Sequence, residues 1–423
     1  MSDKSLRITE SDEAGNVLAT YVQSSSGPDG LSRVDTIDSL QAFSSSIASL
    51  LSSRAVLSSV GVGDSTASPT AALLLSVLQE SAGRIATILF AHRFGTSLEP
   101  ECKMYRLLAD VLNDIAFILD CLSPVFPKAI RVVVLSFSSV LRALCGVAAG
   151  SAKASLSAHF ARWGNLGELN AKDSSQETVI SLLGMLAGSV VVSWITTPVA
   201  TWTVLIFLLS VHLETNRRAV RAVSMRTLSR QRATLVYHHL KRSHVPTPDE
   251  VSEQEQIFER DGVLRDRDGR AVGYCRVGSS MSDLLSSMAT ERQSSTKSAH
   301  VPTDALSGLF EIYQDRKYVL WVNTSSRPAQ VSIVVKTGAS TSDVLAGWWE
   351  ACMIAEQVAF SRDGDLEGEK GDEAAEEVIA MLEQMRRRAA AMLEKHQEGL
   401  MEAGWDLEVN ALQTTSNVRV AVT

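Results

Sequence analysis

At 423 residues the chain has room for two or three domains, and 45% hydrophobic residues with a mean hydropathy of +0.07 exceed what a soluble protein usually carries. The net charge of −8 argues against a nucleic-acid partner, which calls for a basic surplus with aromatic residues set among lysines and arginines. Five cysteines (Cys102, Cys121, Cys145, Cys275, Cys352) lie far apart without a C-x-x-C pair or a histidine at ligand spacing, so a disulfide framework or zinc site is not expected and reduced, buried thiols are.

The opening MSDKSLRITESDEAGN is acidic and has no apolar core, which fits neither a secretory signal nor a transit peptide; insertion into a membrane would use an internal helix. Residues 1–35 read as a flexible polar arm, and 36–245 as a helical domain. Leu40, Phe43, Ile47, Leu50 and Leu51 recur at helical spacing, and Gly61-Val62-Gly63-Asp64 breaks the pattern. Pro69 opens a second helix to about 94, on which Glu80 and Arg84 can pair across one turn. A third helix, about 101–122, sets Lys103, Arg106, Asp110, Asn113 and Asp114 among Leu, Val, Ile and Phe before Pro124 and Pro127 end it. The fourth, about 128–161, carries the small-xxx-small spacing Gly146-Val-Ala-Ala-Gly150, while Arg131, Arg142 and Lys153 argue against a simple lipid-facing span.

Thr178 to Val211 then runs 34 residues without a single Lys, Arg, Asp or Glu. Ser174 and Glu177 have the spacing of a capping box at its start. The first helix of the run, about 175–196, would be roughly 33 Å long, enough for a hydrocarbon core of about 30 Å. It holds a second close-packing spacing, Gly184-Met-Leu-Ala-Gly188. Thr197-Pro198 reads as cap and first residue of a second helix to about Leu213, roughly 24 Å and short for a span. Trp194 and Trp202 bracket the turn as interfacial aromatics do, with the Arg217–Arg232 cluster at the other end. A transmembrane hairpin is therefore expected; the alternative is a buried hairpin of a large soluble bundle.

Residues 246–423 have the composition of a small soluble α+β domain. Strands are expected near 271–276, at YVLWVN and at QVSIVVK, with GWDLEV and VRVAV as closing strands. A helix capped at Ser342 and a long charged helix of about 373–403 flank an acidic linker near 361–372.

Three polar groups are candidates for chemistry. Gly61, Gly63 and Asp64 form a glycine turn ending in a carboxylate, without the lysine and spacing of a phosphate loop. Asp110, Asn113 and Asp114 share one helix face, and on an apolar helix they call for a cation, a solvated groove or a salt-bridge network with Arg54, Arg84 or Arg142. Lys172, Asp173 and Gln176, with Arg162 upstream, could bind an anion if the helix start at Ser174 lined a cavity. Known catalytic signatures such as G-x-S-x-G and H-E-x-x-H are absent, and no cofactor is indicated.

The strings DSLQAFSSSIASLLSSRAVLSSVGVGD, YRLLADVLNDIAFILDCLSP and GNLGELNAKDSSQETVISLLGMLAGS resemble the Root UVB Sensitive family over roughly residues 35–245, with weaker similarity farther on, including GWDLE. The resemblance implies a eukaryotic membrane-associated protein without a settled biochemical activity or catalytic residues. Plant members are linked to UV-B tolerance of roots, seedling development, auxin transport and vitamin B6 homeostasis, and some act as pairs in plastids. The acidic opening does not read as a plastid-type leader, so a plastid location is not expected. The expectation is a mainly α protein, membrane lipid and another family member as partners, and no nucleic acid. Its role would be a non-enzymatic scaffold or carrier in metabolite or hormone homeostasis. The alternative is a transporter or enzyme that uses the Asp110/Asp114 face as a cation or substrate site.

Overall fold

The computed structural model describes residues 7–11, 17–22, 29–60, 69–161, 165–288, 303–323, 326–360, 372–413 and 418–421. Within the expected arm, β1 (Arg7–Ser11) pairs antiparallel with β2 (Val17–Val22). The helical part comprises α1 (Asp29–Val60), α2 (Pro69–Phe94), α3 (Cys102–Leu122), a short 3-10 turn at Ser123–Val125, α4 (Lys128–Phe160), α5 (Leu166–Trp194) and α6 (Pro198–Ala222).

Two helices of the hairpin are longer than their sequence suggests. In α5 the first turn carries Glu168, favourable at a helix N-terminus, and Glu168 pairs with Lys172 one turn on at 2.5 Å, so the helix starts at Leu166. Ser174 and Glu177 therefore lie inside the helix and form no cap; the Ser174 carbonyl accepts from Thr178 Oγ1 at 2.7 Å and Glu177 meets Lys153 at 2.9 Å. Helix α6 does begin with the expected cap, Thr197 Oγ1 accepting from the Ala200 amide at 3.3 Å. It continues past Leu213 because Glu214 pairs with Arg217 and Arg218, three and four residues on, each at 2.7 Å. At 25 residues it is roughly 38 Å long rather than short.

Helices α1 and α3 pack on each other and on the flanking α4, α5 and α6, while α2 lies against α4. Gly184 and Gly188 let α5 approach α1 closely: a Cβ on Gly184 would stand 2.9 Å from the Phe43 carbonyl oxygen, and one on Gly188 3.2 Å from Ile47 Cα. Arg54 of α1 closes the α5–α6 turn by donating to the carbonyls of Val192 (2.9 Å) and Ile195 (2.6 Å) and to Thr201 Oγ1 (2.9 Å). Among the described residues four helices are long and apolar enough to cross a membrane: Leu73–Phe94, Lys128–Phe160, Leu166–Trp194 and Pro198–Ala222. The arginines and lysine of α4 do not remove it from this set, which extends beyond the expected hairpin.

The C-terminal body has a four-stranded sheet in the order β3 (Val263–Arg265), β4 (Ala271–Val277), β6 (Ala329–Val335), β5 (Tyr318–Asn323). The expected hairpin is β5–β6, with Leu320 opposite Ile333, and β4 runs parallel to β6 with Cys275 opposite Val331. Around the sheet lie α7 (Arg230–Leu240), α8 (Pro248–Gln254), α9 (Met281–Met288), α10 (Thr303–Ile312), α11 (Thr341–Phe360) and α12 (Asp372–Glu402). Among the described residues, the segments expected as closing strands make single bridges, Thr227 with Asp406 and Lys336 with Val420, rather than ladders.

Helix α11 is the centre of this core. Its Trp348 and Trp349 are fully buried and donate to Thr234 Oγ1 and the Ala233 carbonyl of α7, both at 3.0 Å. Gly347 sits 3.2 Å, by its virtual Cβ, from the Tyr318 ring. By packing, Ala233, Val236, Tyr237 and Leu240 of α7 join the core of the C-terminal body.

Candidate functional site

Helix α3 is strongly amphipathic, yet the face it buries is not uniformly apolar. Leu107, Ala109, Ala116 and Phe117 are buried beside Asp110, Asp114 and Asp120. The three carboxylates extend about 15 Å along the axis, at about 1.5 Å per residue. A buried carboxylate persists only where partners repay its lost hydration, and each of the three has drawn partners from other helices.

Asp110 Oδ2 accepts from Asn216 Nδ2 at 2.6 Å and from Gln41 Nε2, which brings α6 and α1 onto α3. His212, one helical turn before Asn216, reaches Asp114 Oδ1 with Nδ1 at 2.8 Å and approaches Asp110 Oδ2 with Nε2 at 3.4 Å. Farther along, Asp120 Oδ2 accepts from Ser52 Oγ at 2.8 Å and forms an ion pair with Arg142, whose guanidinium lies 5.4 Å from the centre of the Phe117 ring. At the opposite end, buried Lys103 meets Glu255 at 2.6 Å and Ser252 Oγ at 3.1 Å, and Arg232 joins the same carboxylate at 2.9 Å. The column of polar groups thus runs from the C-terminal body into the bundle.

Four oxygens in this column are buried and accept no hydrogen bond from another protein group: Gln41 Oε1, Asp114 Oδ2, Asp120 Oδ1 and Asn216 Oδ1. Each such acceptor costs about 1–3 kcal/mol. Three of the four crowd around the Asp110–Asp114–His212 cluster.

The sequence singled out Asp110 and Asp114 correctly as a shared face, but not what closes it. Arg54 serves the hairpin turn, Arg84 pairs with Glu80 at 3.5 Å on an exposed face, and Arg142 serves Asp120. Histidine and amides, rather than arginine, meet Asp110 and Asp114. Asn113 is half-buried at the edge of the face. Lys172, Asp173 and Gln176 are exposed in the middle of α5, with Lys172 paired to Glu168 and Asp173 to Lys153 at 2.7 Å. They are not at a helix start, so the amide groups an anion site requires are already bonded within the helix. Asp64, with its glycine turn, and Arg162 lie outside the described residues.

Three participants went unread: Gln41, His212 and Asn216. The signal for the α6 pair was a histidine and an asparagine at i and i+4 on an apolar helix, just past the charge-free run. In the C-terminal body a separate buried carboxylate, Glu350, accepts from Tyr318 at 2.7 Å and from Tyr313. Burial pushes Glu350 up to about 7, against the lowering effect of the two phenols.

Comparison with known proteins bears on both halves. The family model described as the vitamin B6 photo-protection and homoeostasis domain matches residues 29–244, and that of the Root UVB sensitive protein C-terminal region matches 284–416. RUS family member 1 of Dictyostelium discoideum is 40% identical over 226 residues, 52% of this chain and 43% of that protein. Protein root UVB sensitive 3 of Arabidopsis thaliana is 36% identical over 223 residues, 52% of this chain and 50% of that protein. The chain thus spans about half the length of these two relatives. Protein root UVB sensitive 2, chloroplastic, of the same plant is 25% identical over 339 residues, 80% of this chain and 72% of that protein. No solved structure matches the chain.

Proposed function

The chain belongs to the Root UVB Sensitive family, and we propose that it is a membrane-spanning carrier or scaffold in metabolite homeostasis, with its solute site in the polar column along α3. The observation that carries this reading is the reversal of polarity in the bundle. In the four apolar helices the most hydrophobic windows are only 6–22% buried. Leu73, Ile85, Ile88 and Leu89 of α2 and Val179, Leu183 and Val190 of α5 face outward, while Asp110, Asp114, His212 and Asn216 face inward. Lipid is the surrounding that makes both choices favourable, because it solvates the outer face and leaves the polar groups to one another.

The matched domain's description names vitamin B6, so B6 compounds are the first solutes to test. The reading gives the C-terminal body the role of a soluble face to which a second family member would dock, and assigns the chain no enzymatic step.

Alkaline carbonate extraction of the expressed protein, with protease protection of tags in the 196–198 turn and at the C-terminus, tests the placement. Retention in the pellet with a protected turn and a cleaved C-terminus is expected. Release into the supernatant would overturn it and make the chain a soluble helical adaptor.

A further inference from the structure

We infer that α2 docks in the bilayer against α2 of a second copy of this chain, along a seam of Val77, Glu80, Arg84, Thr87 and Ala91 in which Glu80 of each copy meets Arg84 of the other. The inference rests on the reading of the bundle as membrane-spanning and names a partner for it.

Helix α2 lies at the edge of the bundle. Its most apolar window is only 6% buried, and its main packing partner is α4. The face it turns to α4 is fixed: Ser139 Oγ of α4 donates to the Gln79 carbonyl at 3.0 Å, and a Cβ on Gly83 would stand 3.3 Å from Ala143 Cβ. At about 3.6 residues per turn Arg84 is turned about 100° away from Gly83. The side chains of Arg84 and Glu80 are accordingly 81% and 66% exposed.

That pair stands near the middle of the apolar span Leu73–Phe94, with Arg84 about 15 Å from either end. Charged side chains at this depth are costly in lipid and turn to a bundle interior or to one another. Among the described residues Glu80 and Arg84 meet only each other, at 3.5 Å. In the rest of the bundle Asp110, Asp114 and Asp120 face inward, as the rule requires. For Glu80 and Arg84 a helix supplied from outside the chain restores it.

The sequence of the seam points to what that helix is. Positions 77, 80, 84, 87 and 91 recur at alternating spacings of three and four, the pattern of two helices packed side by side in a left-handed pair. Two copies inserted in the same direction are related by a twofold axis along the membrane normal, so their seams run parallel with each residue beside its equivalent. Successive seam positions of opposite helices then touch, which sets Glu80 of each copy beside Arg84 of the other. A glutamate and an arginine one turn apart are self-complementary under this operation, and every charge is answered. Ala91 lets the helices approach closely. Leu78 and Leu89 lie across the helix from the seam and stay on lipid.

The test uses the full chain with its native cysteines replaced, carrying one fluorophore on a C-terminal tag and reconstituted in phosphatidylcholine vesicles at less than one dimer per vesicle. Two photobleaching steps are expected for most wild-type spots. Glu80→Leu with Arg84→Leu makes α2 wholly apolar, so it inserts at least as readily as wild type. It is expected to dimerise about tenfold more weakly, since two interhelical polar contacts are lost. Exchanging the charges, Glu80→Arg with Arg84→Glu, keeps the complementarity and is expected to keep the dimer. Single cysteines at Val77 and Ala91 are expected to cross-link into dimers under mild oxidation, and those at Leu78 and Leu89 are not.

Single bleaching steps in wild type at every protein-to-lipid ratio would overturn the seam. So would equal dimerisation of wild type and the double leucine variant, or equal cross-linking at Val77 and Leu78. Cross-linking of Val77→Cys in cell membranes to a different protein, without a self-linked product, would give the seam another occupant and also overturn it. A carbonate-resistant protein that bleaches in one step loses the dimer and keeps the membrane reading; a Val77-linked dimer of a carbonate-released protein does the reverse.

Discussion

In the helical bundle Asp110, Asp114, Asp120, His212 and Asn216 are buried while Leu73, Leu74, Ile88 and Val190 are exposed. In the C-terminal body Leu320, Ile333, Trp348 and Trp349 are buried, and the large exposed apolar side chains are scattered singly, as at Phe258 and Phe360. The second arrangement is what water selects. The first makes sense where no hydrophobic gain follows from burying leucine and where unmet polar groups have nowhere else to turn. One chain therefore carries two opposite burial rules, and the buried Lys103–Glu255–Arg232 triad is one place where the halves meet.

This contrast can be broken most severely from the C-terminal side. Trp348→Ala, which empties a fully buried site and leaves Thr234 without its indole donor, is expected to cost about 3–5 kcal/mol, read as lost abundance and a lower midpoint in urea.

Glu350 sharpens the contrast through pH. Its folded value of about 7 lies above the ordinary 4.5, so the folded state binds the extra proton. Its contribution is full below pH 4.5, falls as pH rises towards 7 and levels off above. The total is about 3 kcal/mol, from 1.36 kcal/mol per unit. Unfolding of the C-terminal core followed by tryptophan fluorescence should lose this slope in Glu350→Gln; an unchanged slope would place the titrating group elsewhere.

A matched pair of glycines tests the bundle. Gly184→Ala drives a methyl group against the Phe43 carbonyl and should destabilise the α1–α5 contact by about 1–3 kcal/mol. Gly146→Ala meets nothing within 4 Å and should stay within about 0.5 kcal/mol of wild type. Thermal unfolding in detergent ranks the two, and equal effects would contradict the packing. The smallest effect is expected at Lys172→Ala: its pair with Glu168 is exposed on both sides, so the change should be at most about 0.5 kcal/mol by the same measurement.

Much of the bundle was legible because apolar periodicity and prolines mark helix limits locally. Pro69 and Phe94 bound α2 as read, and α4 departs from its expected span by one residue. The start of α5 was misplaced because Ser174 and Glu177 satisfy a capping spacing that also occurs within a helix. Helix α6 was cut short because its first charges were taken as its end. The candidate site was half legible: two aspartates four residues apart announce a shared face. Their partners lie 69, 98 and 106 residues away in sequence, at distances no local pattern encodes. The sheet followed the same rule, since the β5–β6 hairpin is local while the parallel β4–β6 pairing is not.

The reversal of polarity in the bundle is tested most directly by spin labels on single cysteines introduced at Leu74, Leu78, Ile85 and Leu89 of α2 in reconstituted vesicles, with the native cysteines replaced. The account predicts high collision rates with oxygen and low rates with a water-soluble nickel chelate at all four positions, and the opposite ratio at a partly exposed C-terminal position such as Glu383. Nickel accessibility at the α2 positions equal to that at Glu383 would mean that water, not lipid, meets the apolar face, and would contradict it.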